Sequence, residues 1–252
     1  MIQNSEYPEI TEHTPRHQMS QSLLMGILLA LNGGYLEVYT YTTRDQVFAN
    51  AQTGNIVLAA ISAAQGDWPG LINHLIPVVT FAFGVTIVLA VKSHLKRHIH
   101  FHWRQAILLT EILILACASL IPSGPWNAAV NFMVAFACAL QYGGFKKFRG
   151  TALATTFCTG NLRSATEFMY SWNKTGDREK LRKSLDLITI IIVFFTGAIL
   201  SARLTPLLHE KSVLVSCGFL IIAFLIMFIK SEEEKVQLQR KEKADPDRKA
   251  QK

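Results

Sequence analysis

Long apolar stretches separated by short polar segments dominate this chain. Residues 71–91 and 213–229 contain no Asp, Glu, Lys or Arg, and residues 186–202 carry one charge, at the first position. A helix needs roughly 20 apolar residues to cross the hydrocarbon core of a bilayer. Several such stretches predict an all-α polytopic membrane protein. We expect six transmembrane helices, at about 22–41, 71–91, 105–122, 127–145, 185–203 and 213–229.

Two further apolar segments are too short to cross. Gly54 to Gly66 has about 13 residues before Asp67, and Gly160 to Trp172 is interrupted by charges. A helix of 12–13 residues rises only about 20 Å, which is less than the thickness of the hydrocarbon core. We therefore predict re-entrant or half-helices. Amphipathic helices lying in the membrane interface are the alternative.

Three landmarks occur twice in the same order, which predicts an internal repeat. They are a glycine pair, the tripeptide Thr-Gly-Asn and a Phe-x-x-Gly segment, and their copies are offset by 110, 106 and 113 residues. The predicted units are a cytoplasmic segment (1–21), a first membrane repeat (22–122), a second membrane repeat (123–230) and a charged cytoplasmic tail (231–252). Since each repeat makes three crossings, the two repeats should run in opposite directions.

Charge asymmetry supports this layout. With six crossings and a cytoplasmic N-terminus, 22 Lys and Arg residues fall inside and three fall outside. Basic residues concentrate on the cytoplasmic side of membrane proteins. We expect a multi-pass protein of the bacterial inner membrane with both termini in the cytoplasm. The net charge of +7 is then a property of cytoplasmic loops, and no nucleic-acid partner is expected.

Composition excludes some classes of function. Charged residues make up 17% of the chain, below the roughly 25% of soluble domains. The four cysteines have no redox or metal spacing, and the chain contains no Walker loop, GxSxG or HExxH motif. We expect neither an enzyme nor a bound cofactor or metal.

The repeated tripeptide is the strongest candidate site. A helix that begins at Thr-Gly-Asn has unpaired N–H groups and a positive dipole end, which must find partners inside a membrane. Thr53 and Thr159 could cap these helices through their hydroxyls. We predict that a small polar or anionic solute binds between the two helix starts. The alternative is that the two motifs satisfy each other. The candidate substrate-binding residues are Asn50, Gln52, Thr53, Gly54, Asn55, Thr159, Gly160 and Asn161.

Two acids in predicted spans are candidates for ion or proton coupling. Glu111 lies about six residues inside its span, and Glu37 lies one turn after Gly33. An ionisable residue inside a membrane is costly, so Glu111 should face protein and have a partner. A structural, hydrogen-bonded or protonated Glu111 is the alternative.

The segment from His94 to Arg104 contains four histidines among basic residues. His94 and His98 are one turn apart, which is compatible with binding a divalent metal. Its juxtamembrane position favours binding to anionic lipid headgroups instead.

The chain resembles the YoaK family of bacterial integral membrane proteins. The resemblance rests on segments 32–41 (NGGYLEVYTY), 47–57 (VFANAQTGNIV) and 154–164 (ATTFCTGNLRS) and covers nearly all of 20–230. Glu37 stands where we expect Asp in this family. The resemblance implies an inner-membrane protein of about six spans and transfers neither a substrate nor functional residues.

These observations favour a small-solute transporter or channel. The alternative is a non-catalytic membrane scaffold, or a protein that binds lipids or a partner through its basic cytoplasmic face. Membrane lipids are the expected partners, and a homo-oligomer is an open alternative.

Overall fold

The computed structural model describes residues 22–95 and 103–227. Segment 1–21, which was predicted to be cytoplasmic, His98 with most of the histidine-rich segment, and the tail 231–252 lie outside the described residues. Helices and one small hairpin make up the fold. They are α1 (Leu23–Thr43), α2 (Gln52–Ala64), α3 (Trp68–Leu95), α4 (Trp103–Ala118), α5 (Asn127–Gly144), β1 (Lys147–Phe148), β2 (Thr151–Ala152), α6 (Thr159–Thr175), α7 (Arg178–Leu208), a 3-10 turn (His209–Ser212) and α8 (213–227).

Local sequence explains where several helices begin and end. The Ser22 hydroxyl accepts the Met25 N–H at 3.2 Å and caps α1. The Asp177 carboxylate accepts the Glu179 N–H at 2.9 Å and caps α7. Gly176 has a φ of 69° and ends α6, because glycine adopts the left-handed conformation without a steric penalty. Gly176 and Asp177 thus separate two antiparallel neighbours.

The apolar surface is that of a membrane protein. Among the described residues, three helical segments are long and apolar enough to cross a bilayer: Leu23–Thr43, Trp68–Lys92 and the 50-residue stretch Arg178–Met227. On α3, Ile72, Val79 and Phe83 follow one face and are 61%, 68% and 54% exposed. Such a continuous exposed apolar stripe is compatible with lipid and not with water. The prediction of an all-α membrane protein is confirmed at this level.

The two short helices differ from each other in length. Helix α2 has 13 residues, close to the prediction. Helix α6 has 17 residues and rises about 26 Å, so it is longer than the 12–13 residues that were predicted. Arg163 and Glu167 form an exposed i,i+4 ion pair at 2.8 Å on its surface. These charges do not interrupt the helix, because they extend away from its backbone.

A two-stranded hairpin between α5 and α6 was not predicted. Lys147 pairs with Ala152, and Phe148 pairs with Thr151. Arg149 and Gly150 form the turn with φ values of 48° and 79°. Two consecutive left-handed residues match the twist of a tight hairpin, which explains why a basic, glycine-containing segment leaves the helical pattern here.

Helices from the two halves of the chain pack against each other. Helix α1 packs mainly against α7, α3 mainly against α5, and α2 and α6 pack against α3 and α7 respectively. A Cβ atom on Gly34 would clash with the carbonyl of Phe194, and one on Gly197 would clash with the carbonyl of Leu31. These glycines therefore allow α1 and α7 to approach each other closely.

Candidate functional site

The asparagine of each Thr-Gly-Asn motif holds the loop before its own helix. Asn55 Oδ1 accepts the Phe48 N–H at 2.9 Å, and Asn55 Nδ2 donates to the Phe48 carbonyl at 2.8 Å. Asn161 makes the same two bonds to Ala154, with 3.0 Å for the N–H bond. In both motifs the loop residue lies seven positions before the asparagine. Each asparagine therefore closes its own turn, and these bonds are not between the motifs.

The predicted threonine caps are wrong. The N-cap residues are Ala51 and Cys158, and neither uses a side chain to cap its helix. Thr53 lies inside the first turn of α2, and Thr159 is the first residue of α6. A cap hydroxyl must precede the helix, so neither threonine is placed to provide one. Thr53, Thr159 and Gly160 are all exposed, whereas Asn55 and Asn161 are buried.

The N–H groups before α2 are satisfied by a carboxylate. Glu37 Oε2 accepts the Asn50 N–H at 2.7 Å, and Glu37 Oε1 accepts the Ala51 N–H at 3.0 Å. Glu37 is only 9% exposed. A negative charge beside a helix start is favourable, and charge-assisted bonds of this kind are strong. Glu37 thus occupies the position that an anionic solute would need.

The loops before the two motifs meet at Gly33. Asn50 Nδ2 donates to the Gly33 carbonyl at 3.2 Å. A Cβ atom on Gly33 would lie 2.7 Å from the Thr155 carbonyl oxygen and 3.4 Å from the Thr156 Cα. Glycine is therefore required at position 33 because the loop before α6 contacts the backbone of α1 there. Gln52 stays on its own side, with its Nε2 donating to the Ala49 carbonyl at 3.2 Å and its Oε1 accepting from Asn55.

A buried polar network ties this junction to the rest of the bundle. Gln141 Nε2 donates to Thr155 Oγ1 at 3.0 Å and to the Leu29 carbonyl at 3.1 Å, and its Oε1 accepts from Asn32 Nδ2 at 2.9 Å. Ser216 donates to Asn32 Oδ1. Helices α1, α5, α8 and the loop before α6 therefore share one set of hydrogen bonds.

Several buried acceptors near this network have no hydrogen-bond partner among the described residues. They include Asn50 Oδ1, Glu111 Oε1 and Thr156 Oγ1. Glu111 is 1% exposed, so the prediction that it faces protein is confirmed, while the predicted partner is not found for Oε1 within the described part of the chain.

Sequence reasoning missed Arg44. Its side chain is fully buried, and its guanidinium donates to the Tyr39 hydroxyl, Asn127 Oδ1 and the Ile121 carbonyl at 2.9–3.2, 3.1 and 2.8 Å. The sequence does contain an indication of its importance, since Arg44 is one of only three basic residues on the predicted outer side. It joins the end of α1 to the loop between α4 and α5.

A metal centre is not evident in the part of the chain that the structure describes, where no group of three or more His, Cys, Asp or Glu side chains comes together. The predicted pair His94 and His98 is not tested, because neither side chain is described. Two cavities on the surface, of about 540 and 600 Å³, lie between α6 and α7 and do not include the motif asparagines.

Comparison with known proteins places the chain in a family. It is similar to the UPF0700 transmembrane protein YoaK of Bacillus subtilis (strain 168), with 26% identity over 191 residues, which is 71% of this chain and 82% of the relative. No solved structure matches the chain. The model of a protein family of unknown function, DUF1275, matches residues 25–226. Since that match spans most of the chain, the protein belongs to the DUF1275 family, whose relatives include YoaK-type transmembrane proteins.

Proposed function

We propose that this chain is a small-solute transporter or channel of the bacterial inner membrane, without enzymatic activity. The observation that carries the proposal is the junction at Gly33. Loops before two helix starts, one from each half of the chain, meet there beside buried acceptors that have no partner. Binding sites of secondary transporters often lie where two repeats meet and helices are interrupted.

An inverted repeat with six spans is part of the proposal. The contacts support it, because exchanging the halves maps two helix pairs of one half onto two pairs of the other. The α1–α7 pair corresponds to α5–α3, and the α2–α3 pair corresponds to α6–α7. The two asparagine turns also correspond bond for bond. The repeats are proposed to be 22–122 and 123–230.

The proposed topology has both termini in the cytoplasm. The distribution of 22 inner and three outer basic residues supports it. A reporter enzyme that is active only outside the cytoplasm, fused after Lys252, should be inactive, and the same reporter inserted at Ser123 should be active. The opposite result would reverse the topology.

The chemistry of the junction favours a polar or cationic solute with hydrogen-bond donors. Glu37 already occupies the positive start of α2, so a second anion there would meet like charge. Asn50 Oδ1 and Glu111 Oε1 are acceptors that need donors, and buried acceptors without partners are costly. We therefore keep the prediction of a polar solute and replace the predicted anionic solute with a cationic one.

We assign proposed roles to the candidate residues. Asn50 and the hydroxyl of Thr156 contact the solute, and Glu111 and Glu37 carry the coupling charge. Asn55, Asn161 and Gln52 hold the loops that position Asn50 and Thr156. Thr53, Gly54, Thr159 and Gly160 form the first turns of the two helices behind those loops. This order follows from which side chains have free hydrogen-bonding capacity and which are already engaged.

The test begins with a thermal-shift screen of purified protein against small polar and cationic solutes, because a ligand that binds only the folded state raises the melting temperature. Thr156→Val is nearly isosteric and should remove most of the shift without lowering the melting temperature of the free protein. Asn173→Leu, at an exposed position on α6, is the control and should keep the shift.

Uptake of the identified solute into proteoliposomes then tests transport. Thr156→Val and Glu111→Gln should reduce uptake at least tenfold, while Asn173→Leu should leave it unchanged. If neither Thr156→Val nor Glu111→Gln reduced the ligand-induced rise in melting temperature or the uptake rate, the proposed site would be rejected.

A further inference from the structure

The hairpin of α6 and α7 carries two adjoining cavities of different character. The first, which we call the apolar groove, is lined mainly by Leu162, Ala165, Met169, Tyr170 and Ile188 and has a volume of about 540 Å³. The second, the basic cup, is lined by two arginines and one acid, Arg178, Arg182 and Asp186, together with Leu181, Leu185 and neighbouring residues, and has a volume of about 600 Å³. Trp172 lines both, so the cavities adjoin at this side chain.

The groove follows one face of α6. Leu162, Ala165, Met169 and Trp172 are spaced by three or four residues, so they share a face, which spans about 15 Å along the helix axis. Leu162 and Tyr170 are 59% and 61% exposed. An exposed apolar channel of this length is suited to an extended hydrocarbon chain.

The cup supplies positive charge at one end of that groove. Arg178 is exposed and forms no ion pair with a carboxylate in the described part of the chain. Arg182 is partly neutralised by Asp186 at 3.3 Å. Residues 146–183 hold nine Lys and Arg against three Asp and Glu, so the surrounding surface is also basic. An anion at the cup therefore meets one arginine with free hydrogen-bonding capacity.

The position along α7 is that of a membrane interface. Charged residues crowd its first turns from Arg178 to Asp186, and the next charge is Arg203. Tryptophan is enriched where an apolar region meets a polar one, which matches the place of Trp172 between groove and cup. The basic cup can thus contact a lipid headgroup, and the apolar groove can contact a hydrocarbon chain.

We infer that the α6–α7 hairpin binds one anionic phospholipid, with its phosphate at Arg178 and Arg182 and one acyl chain in the apolar groove. A zwitterionic lipid has the same chain but lacks the net negative charge, and free phosphate has the charge but lacks the chain. The combination of groove and cup therefore selects a lipid with both features. Since α6 begins with the second Thr-Gly-Asn motif, Thr159 to Asn161, the lipid would contact the helix whose start belongs to that motif.

Native mass spectrometry of the full-length protein in detergent tests this site. Phosphatidylglycerol should remain bound and should raise the melting temperature, whereas phosphatidylcholine should do so weakly. Each arginine near a membrane surface contributes about 1 kcal/mol, which corresponds to about fivefold in affinity, so the Arg178→Gln/Arg182→Gln variant should bind phosphatidylglycerol about 25-fold more weakly. Arg178→Gln alone should lose about fivefold.

Matched variants separate the two halves of the site. Arg163→Gln removes a basic residue from the same helix hairpin, outside both cavities, and should bind the lipid like the wild type. Thr166→Trp fills the groove and should weaken lipid binding while both arginines remain. Equal affinity for the two lipids, or equal loss in Arg163→Gln, would overturn the headgroup assignment. Unchanged affinity in Thr166→Trp, or full stabilisation by inorganic phosphate alone, would overturn the acyl-chain assignment.

Discussion

The two Thr-Gly-Asn turns share one hydrogen-bond pattern and differ in what surrounds it. In both, the asparagine binds the N–H and the carbonyl of the residue seven positions earlier. Within residues 22–95 and 103–227, only the first turn has a carboxylate on its N–H groups, supplied by Glu37. In the loop of the second turn, Thr155 Oγ1 accepts a hydrogen bond from Gln141 Nε2. This loop follows the β1–β2 hairpin.

The shared bonds have a structural role in both turns, whereas the group present in one turn gives that turn a distinct property. A bond pattern that occurs in both halves reflects the need to satisfy backbone groups inside a membrane, which is the same at both positions. A group present in only one half breaks the symmetry and gives the junction its charge. Glu37 makes the first turn acidic and leaves the second neutral. The comparison predicts which substitutions should have paired effects and which should not.

Removing Glu37 should have the largest effect. Glu37→Ala leaves the Asn50 and Ala51 N–H groups buried without an acceptor, and each such group costs about 1–3 kcal/mol. We expect the free energy of unfolding in detergent to fall by at least about 3 kcal/mol. Glu167→Ala, at an exposed acid on α6, should change it by less than about 0.5 kcal/mol. Similar losses in both variants would show that Glu37 does not hold the first turn.

The glycines of the two helix contacts should respond unequally. A Cβ on Gly34 meets the backbone of Phe194, whereas one on Gly84 lies 2.6 Å from the Cβ of Ala139, a side-chain atom. Backbone cannot move aside without separating α1 from α7. Gly34→Ala should cost about 3 kcal/mol in unfolding free energy and Gly84→Ala about 1 kcal/mol. Gly218→Ala, where a Cβ meets open space, should be neutral or stabilising.

The two asparagines should behave alike. Asn55→Ala and Asn161→Ala each remove a side chain that satisfies one N–H and one carbonyl of its loop. We expect each to lower the free energy of unfolding by about 2 kcal/mol. Asn173→Ala, at an exposed position, is the matched control. If one asparagine cost more than twice as much as the other, the turns would not be equivalent structural units.

The motif glycines should give the smallest effects, with opposite signs. A Cβ on Gly54 would lie 2.8 Å from the Phe48 ring, which stacks on Tyr41, whereas one on Gly160 meets open space. Gly54→Ala should therefore destabilise by about 1 kcal/mol. Gly160→Ala should stabilise α6 by up to about 0.5–1 kcal/mol, because alanine favours the helix. Equal signs in thermal unfolding would show that the surroundings of the two glycines do not differ.

Hydrophobic pattern alone determined the class of fold and most helix positions. Uninterrupted apolar runs predicted α1, α3 and α8 closely, because crossing a membrane depends on length and composition, which are local properties. The end of α6 at Gly176 and the hairpin at Arg149 and Gly150 were missed. They depend on one and two left-handed residues respectively, which a search for apolar runs does not detect.

Some features of the candidate site could likewise be predicted from the sequence, and others could not. The repeated tripeptide, Glu37 and Glu111 could be selected from the sequence, because polar residues inside apolar segments are conspicuous. Only the tertiary structure decided that Asn55 and Asn161 serve their own loops, that Glu37 caps the first turn, and that Arg44 is buried. Hydrogen-bond partners depend on which backbone groups remain unpaired after the helices pack, and that packing includes contacts between distant parts of the chain, such as Gly33 with Thr155.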